Sequence, residues 1–92
     1  ADMVSDMARR LRSEYLVGIG HTYQVILAYY MADWERGIEE GEHARRLLKH
    51  CGDAVELSFA VFLQALCHAN RGELEQGLQV CDEGLDYMAR ID

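Results

Sequence analysis

The sequence predicts an all-α protein built from antiparallel helical hairpins that repeat along the chain. Its 92 residues contain no proline, and half of them are hydrophobic. Apolar residues recur at helical spacing, without sustained alternation of period two. The third observation is internal similarity: residues 53–92, shifted back by 40, align with residues 13–52. Self-similarity at such a period indicates stacked supersecondary units rather than a fold around one active-site cavity.

The two units agree best at their turns and along their second helices. The clearest matches pair Gln24 with Gln64, Asp33 with Glu73, Glu35 with Glu75, Gly37 with Gly77 and Ile38 with Leu78. We call two residues that share a place in the two units counterparts. A repeated unit of this kind shifts the expectation from an enzyme towards a binding scaffold.

Helix-end signals place about five helices along the chain. Ser13 and Asp53 are both good N-caps. Glu56 has the spacing of a capping box with Asp53, and Gly52 suits the left-handed residue that ends the preceding helix. Turns are predicted at Ala32-Asp33 and at Asn70-Arg71-Gly72. The predicted helices cover about residues 2–11, 14–32, 34–50, 54–70 and 73–90.

The distribution of apolar residues predicts two layers. Helices 14–32 and 54–70 are apolar nearly all round, which indicates neighbours on more than one side. Helices 34–50 and 73–90 are amphipathic, with one charged face each. The first helix of each unit is therefore expected to be the inner one.

Gly18 and Gly20 interrupt the first inner helix. Their counterparts, Ser58 and Ala60, are also small. Glycine inside a helix costs about 1 kcal/mol relative to alanine, so a packing reason is expected. We predict that a neighbouring helix approaches closely at both positions.

The chain is expected to form one domain that is a piece of a longer array. Residues 1–12 align with residues 41–52, so they are expected to be the end of a preceding repeat. Residues 13–52 then form the first repeat and residues 53–92 the second. How many repeats are missing is left open by the sequence.

Charge and cysteine content narrow the classes of partner. The net charge is −7, and residues 73–92 hold six acids and one base, hence −5 of it. An acidic surface repels phosphates, so no direct nucleic-acid contact is expected. No run of 18 apolar residues exists, and no membrane association is expected. Three cysteines without a CxxC pair indicate thiols in a reducing compartment, which we take to be the cytoplasm.

Metal, cofactor and catalytic sites are not expected. His50-Cys51 and Cys67-His68 lack the paired spacing of a zinc site. Adjacent residues on a helix also point about 100° apart, which does not suit a cysteine–histidine catalytic pair. His21 and His43 have no evident partner in the sequence. No glycine-rich phosphate loop or dinucleotide fingerprint is present.

The two predicted turns carry a family resemblance. Ala32-Asp33-Trp34-Glu35-Arg36-Gly37 and Gly72-Glu73-Leu74-Glu75-Gln76-Gly77 resemble the Gly-Asp-Tyr-x-x-Ala turn of tetratricopeptide repeats. Ala44 and Gly84 match the small residue of that family seven positions further on. The resemblance implies an α-solenoid of stacked hairpins and covers about 80 of the 92 residues.

The sequence also departs from that family. The unit is 40 residues long instead of the usual 34, and the usual proline at its end is missing. Glycine replaces alanine at Gly37 and Gly77, and Gly41 and Cys81 lie where the family prefers a large apolar residue. Longer units with such endings are similar to repeat arrays in large bacterial signalling and transcription regulators.

The resemblance also implies a binding groove lined by the inner helices. Its expected occupant is a protein or peptide, either an amphipathic helix or an apolar segment, and its expected role is a non-enzymatic scaffold in a larger regulator. Two alternatives stay open: a sensor module for a small apolar ligand or signalling peptide, and a module for self-association. The groove positions carried over are Ile19, Thr22, Ile26, Tyr29, Tyr30, Phe59, Phe62, Leu66, Ala69 and Asn70.

Overall fold

The protein is built from α-helices. The structure, a computed structural model, describes residues 3–51 and 54–91. Within these residues there are four helices and no strand, which confirms the all-α prediction. The predicted caps at Gly52 and Asp53 lie outside the described residues. The helices are α1 (Met3–Tyr30), α2 (Trp34–Cys51), α3 (Ala54–Asn70) and α4 (Leu74–Ile91).

Each helix packs antiparallel against the next one. At the open end of the first hairpin, the Cys51 thiol lies 3.5 Å from the carbonyl oxygen of Leu11. The two hairpins, α1–α2 and α3–α4, meet through α2 and α3, and α1 also contacts α3. We call the contact between the hairpins the joint. α2 and α4 are connected there by long side chains: the Tyr87 hydroxyl donates to the Lys49 carbonyl oxygen at 2.7 Å.

The first helix is longer than the sequence signals indicated. α1 runs without interruption from Met3 to Tyr30, so the predicted break at Ser13 and the separate helix 2–11 are wrong. Serine lowers helix stability only slightly, and Arg12 and Glu14 on either side are good helix formers. Residues 3–13 are all exposed, and because α2 ends opposite Leu11, the first turns of α1 project beyond the hairpin.

The two predicted turns are confirmed, and they share their hydrogen bonds. The Asp33 N–H donates to the Ala28 carbonyl at 2.8 Å, and the counterpart bond from Glu73 to His68 is also 2.8 Å long. The helix after each turn begins one residue beyond the donor of this bond, at the counterparts Trp34 and Leu74. The turn geometry of the first hairpin therefore recurs in the second.

The turns differ in one residue that adopts a left-handed conformation. Gly72 has φ +85°, whereas its counterpart is Ala32 with φ +57°. This conformation costs an L-residue about 1 kcal/mol, and glycine adopts it freely. We expect Ala32→Gly to raise the free energy of unfolding by about 0.5–1 kcal/mol and Gly72→Ala to lower it by a similar amount. Urea unfolding followed by circular dichroism measures both, and a less stable Ala32→Gly variant would contradict the argument.

Small residues let the helices approach in the core. A Cβ atom added to Gly18 would lie 3.0 Å from Leu48 Cγ, as the prediction of a close approach at this glycine requires. The same prediction is wrong for Gly20, where an added Cβ would meet no described atom within 4 Å. The buried apolar cluster consists of Ala44, Leu48, Leu57, Ala60, Val61, Ala65 and Val80.

α1 is less buried than expected for the inner layer that the sequence predicts. Only Gly18, Thr22, Val25 and Ala28 of this helix are buried. One broad side of the helix stays exposed because the second hairpin covers only part of it. Within residues 14–30 of α1, the exposed large apolar residues are Leu16, Val17, Tyr23, Leu27 and Tyr30. None of the helices in the described ranges is long and apolar enough to cross a membrane.

Candidate functional site

A shallow groove lies between α1 and α3. It encloses a cavity of ≈ 180 Å³. Phe59 projects into solvent at its edge, and Thr22 at its floor is buried, with its hydroxyl donating to the Gly18 carbonyl at 3.1 Å. We call this the α1–α3 groove. Its lining residues are Ile19, Thr22, Tyr23, Ile26, Glu56 and Phe59.

The predicted groove residues fall into two groups. Ile19, Thr22, Ile26 and Phe59 line the α1–α3 groove. Phe62, Leu66 and Ala69 instead line a second cavity, of ≈ 190 Å³, between α3 and α4. We call it the tail cavity. The two groups adjoin along α3, where Phe59 and Phe62 are both exposed and one helical turn apart.

The remaining three predicted residues lie near the helix ends at the turns. The Tyr29 ring packs edge-on against Trp34 at 5.4 Å and against Tyr30 at 6.1 Å. Tyr29 therefore helps to join α1 to α2. The Asn70 side chain donates to the Leu66 carbonyl at 2.8 Å, within its own helix. None of these three contacts belongs to the α1–α3 groove.

Tyr23 is a groove residue that the family positions did not include. It lies four residues after Ile19 and three before Ile26, which places the three side chains on one side of α1. The helical spacing alone therefore contains the signal. A tyrosine at this place offers both a ring for packing and a hydroxyl for hydrogen bonding.

A buried arginine holds the two hairpins together at the joint. The Arg45 side chain donates to Gln64 Oε1 at 3.0 Å, to Glu42 Oε2 at 3.3 Å and to Glu83 Oε2 at 3.2 Å. Gln64 in turn donates from Nε2 to the Ile38 carbonyl at 3.0 Å. The network thus joins α2, α3 and α4, and the sequence analysis did not identify it.

The ionisation of Glu83 reflects this network. Hydrogen bonds from Gln79 and then from Arg45 lower the pKa of the Glu83 carboxyl. Both bonds stabilise the charged form. Because the carboxylate is half exposed, it remains accessible to water, and the cluster has the character of a structural contact rather than a catalytic acid.

The histidines have local partners, and Cys67 is buried. His21 pairs with Glu40 and stacks on His43 at 5.1 Å, so the expectation that these two histidines lack partners is wrong. Burial raises the pKa of the Cys67 thiol, which keeps it protonated. In the described parts of the chain, no three His, Cys, Asp or Glu side chains are grouped closely enough to hold a metal ion.

The comparisons with known proteins add no relative. The chain matches no family model, no curated protein and no solved structure.

Proposed function

We propose that this chain is a non-enzymatic protein–protein interaction scaffold, of the tetratricopeptide type, within a larger regulatory protein. Its partner is an amphipathic helix or an apolar peptide segment that lies in the α1–α3 groove. The observation that carries the proposal is the exposure of large apolar side chains around this groove. Tyr23 and Phe59, on its two sides, are both more than half exposed.

The size of the groove favours a peptide over an enclosed small molecule. Pockets for small ligands usually enclose about 300–1,000 Å³ and cover most of the ligand. The α1–α3 groove, at ≈ 180 Å³, has room for one or two side chains. A helix laid along such a groove inserts side chains at intervals of three and four residues. Ile19, Tyr23 and Ile26 on α1 offer contacts at this spacing.

The charge of the surroundings specifies the partner further. Glu56 lines the groove, and the chain as a whole carries a charge of −7. Complementary charge increases the association rate and discriminates against other sequences. The partner is therefore expected to carry an apolar stripe flanked by lysine or arginine, and its binding is expected to weaken as salt is added.

A selection from a library of helical peptides tests the proposal. Peptides are selected on the wild-type chain and then measured by fluorescence anisotropy on Phe59→Glu and Met31→Glu. Phe59→Glu places a charge in the groove and is expected to weaken binding at least about tenfold, since a buried unpaired charge opposes docking. Met31→Glu changes an exposed apolar residue in the turn after α1 and is expected to bind like the wild type.

Two outcomes would contradict this function. One is a selection that yields no peptide with an apolar stripe, and the other is equal binding to Phe59→Glu and wild type. Circular dichroism must show that both variants are helical. Because Phe59 is exposed and its side chain is not part of the buried cluster, its replacement is expected to leave the fold intact.

A further inference from the structure

One side of the first hairpin exposes residues whose counterparts are buried. We call this side the head face. Its Leu27 is 54% exposed, whereas the counterpart Cys67 is fully buried against Gly37 of α2. Another buried counterpart is Gln64. Its Cβ and Cγ atoms occupy the space that the Cβ atom of a larger residue would need at Gly41. The head face consists of Val17, Gly20, Gln24 and Leu27, and their counterparts Leu57, Ala60, Gln64 and Cys67 are all buried.

The opposite side of the second hairpin exposes residues whose counterparts in the first hairpin belong to the joint. We call it the tail face. Leu85 there is 63% exposed, whereas its counterpart Arg45 is 5% exposed in the joint. Leu78 is 65% exposed, and its counterpart Ile38 accepts the hydrogen bond from Gln64. The tail face consists of Phe62, Leu66, Leu74, Leu78, Cys81 and Leu85.

We propose that copies of this chain associate head to tail, with the tail face of one copy docked on the head face of the next. The contact between copies then repeats the joint between the two hairpins of one chain. The two faces are complementary because each corresponds to one side of that joint. The turn hydrogen bonds and the helix starts are repeated in both hairpins, which supports this correspondence.

The tail cavity provides the docking point for Leu27. This cavity is bounded in part by Gly77 and Cys81. Their counterparts, Gly37 and Gly41, are the residues that Cys67 and Gln64 cover within one chain. In the contact between copies, Leu27 takes the place of Cys67 and fills the cavity. Cys81 has a side chain where its counterpart Gly41 has none. In the contact between copies, Gln24 of one copy therefore lies farther from α4 of the other than Gln64 lies from α2 within one chain.

The replacement of Arg45 by Leu85 makes the contact between copies more apolar than the joint. Within the chain, a buried charge at this place requires Gln64, Glu42 and Glu83 as partners. The tail face has no charge to satisfy at the position of Leu85. Its burial is favourable without a partner, at about 25 cal/mol for each Å² removed from water. The association is therefore expected to persist at high salt.

A head-to-tail contact leaves one face of each kind free at the two ends of an assembly. Such a contact produces open chains of copies unless a ring closes. It differs in this respect from a symmetric dimer, in which the same surface of both copies is used up. This difference provides the test.

Sedimentation velocity on complementary variants distinguishes these cases. Leu27→Glu blocks the head face, and Leu78→Glu blocks the tail face. The wild type is expected to form species that grow with concentration beyond a dimer, and each variant alone is expected to be monomeric. An equimolar mixture is expected to give a dimer that grows no further, because one intact head face meets one intact tail face. Met31→Glu changes an exposed residue whose counterpart, Arg71, is exposed as well, and this variant is expected to assemble like the wild type.

The thiol of Cys81 provides a second readout. Alkylation of Cys81 is expected to be slowed in the wild-type assembly and restored in Leu27→Glu, where the substitution is far from Cys81 in the chain. A wild type that is monomeric at all concentrations would overturn the proposal, and so would a mixture that stays monomeric or a Leu78→Glu variant that still dimerises. Peptide binding in the α1–α3 groove is measured with Phe59→Glu, so the two proposals can fail separately.

Discussion

Leu48→Ala is expected to lower the free energy of unfolding by about 3 kcal/mol. Leu48 is fully buried in α2 and belongs to the main apolar cluster. Truncation removes buried methyl groups and leaves a cavity that the helices close only in part. A chain of this length is stable by roughly 5–14 kcal/mol, so the loss is large. Urea unfolding measures it, and Leu16→Ala, at an exposed position, is expected to cost less than about 1 kcal/mol.

Gly18→Ala provides a direct check on the cause of this loss. An alanine Cβ at this position would lie 3.0 Å from Leu48 Cδ2 and Cγ, so the wild type is too crowded for it. In the Leu48→Ala background the two closest contacts are gone and Leu47 Cβ, at 3.3 Å, remains, so the methyl group fills part of the cavity. The double variant is therefore expected to be more stable than Leu48→Ala by about 1 kcal/mol, and Gly18→Ala alone to gain less than that. Equal gains in both backgrounds would show that Gly18 and Leu48 do not pack as described.

Gln64→Leu is expected to lower the free energy of unfolding by about 2–3 kcal/mol. Gln64 is 2% exposed and connects the hairpins by accepting from Arg45 and donating to the Ile38 carbonyl. Leucine has a similar volume but leaves Arg45 without one of its acceptors. The matched control is Gln76→Leu on the exposed side of α4, which is expected to change stability by no more than about 0.5 kcal/mol.

A double-mutant cycle separates the hydrogen bond from the packing. Arg45→Met removes the buried charge and keeps the apolar stem of the side chain. When both residues are replaced, neither leaves the other without its hydrogen-bond partner, and the Ile38 carbonyl loses its donor in the double variant just as it does in Gln64→Leu. The double variant Arg45→Met/Gln64→Leu is therefore expected to lose less than the sum of the single losses, by at least about 1 kcal/mol. Strict additivity would mean that the two side chains do not depend on each other.

The fold could be predicted where local signals and packing agree. Ala32-Asp33 and Asn70-Arg71-Gly72 interrupt long apolar patterns, and both turns are where the sequence placed them. Ser13 misled the prediction because serine is common at N-caps but is also tolerated inside a helix. Whether it ends a helix depends on a competing turn, and Arg12 and Glu14 favour helix on both sides.

The candidate sites were less predictable because they depend on how the hairpins pack. A family position marks the general side of a helix, but the crossing of α3 decides that Phe59 borders one cavity and Phe62 the other. Arg45 looks like part of a solvated run with Arg46. The one signal for its burial is its counterpart, Leu85, since an apolar residue there indicates that this side of the helix faces another hairpin.

The uninterrupted α1 acts as a lever. Met3 lies 16 residues from Ile19 in the α1–α3 groove, a distance of about 24 Å at 1.5 Å per residue. Because α2 packs against α1 as far as Leu11, the two helices rotate together, and a rotation of this hairpin by about 10° around the groove would move the tip of α1 by about 4 Å. A break at Ser13 would have absorbed such a rotation in a loop. The continuous helix instead converts a small rotation at the groove into a larger displacement of residues 3–13 and of any partner that contacts them.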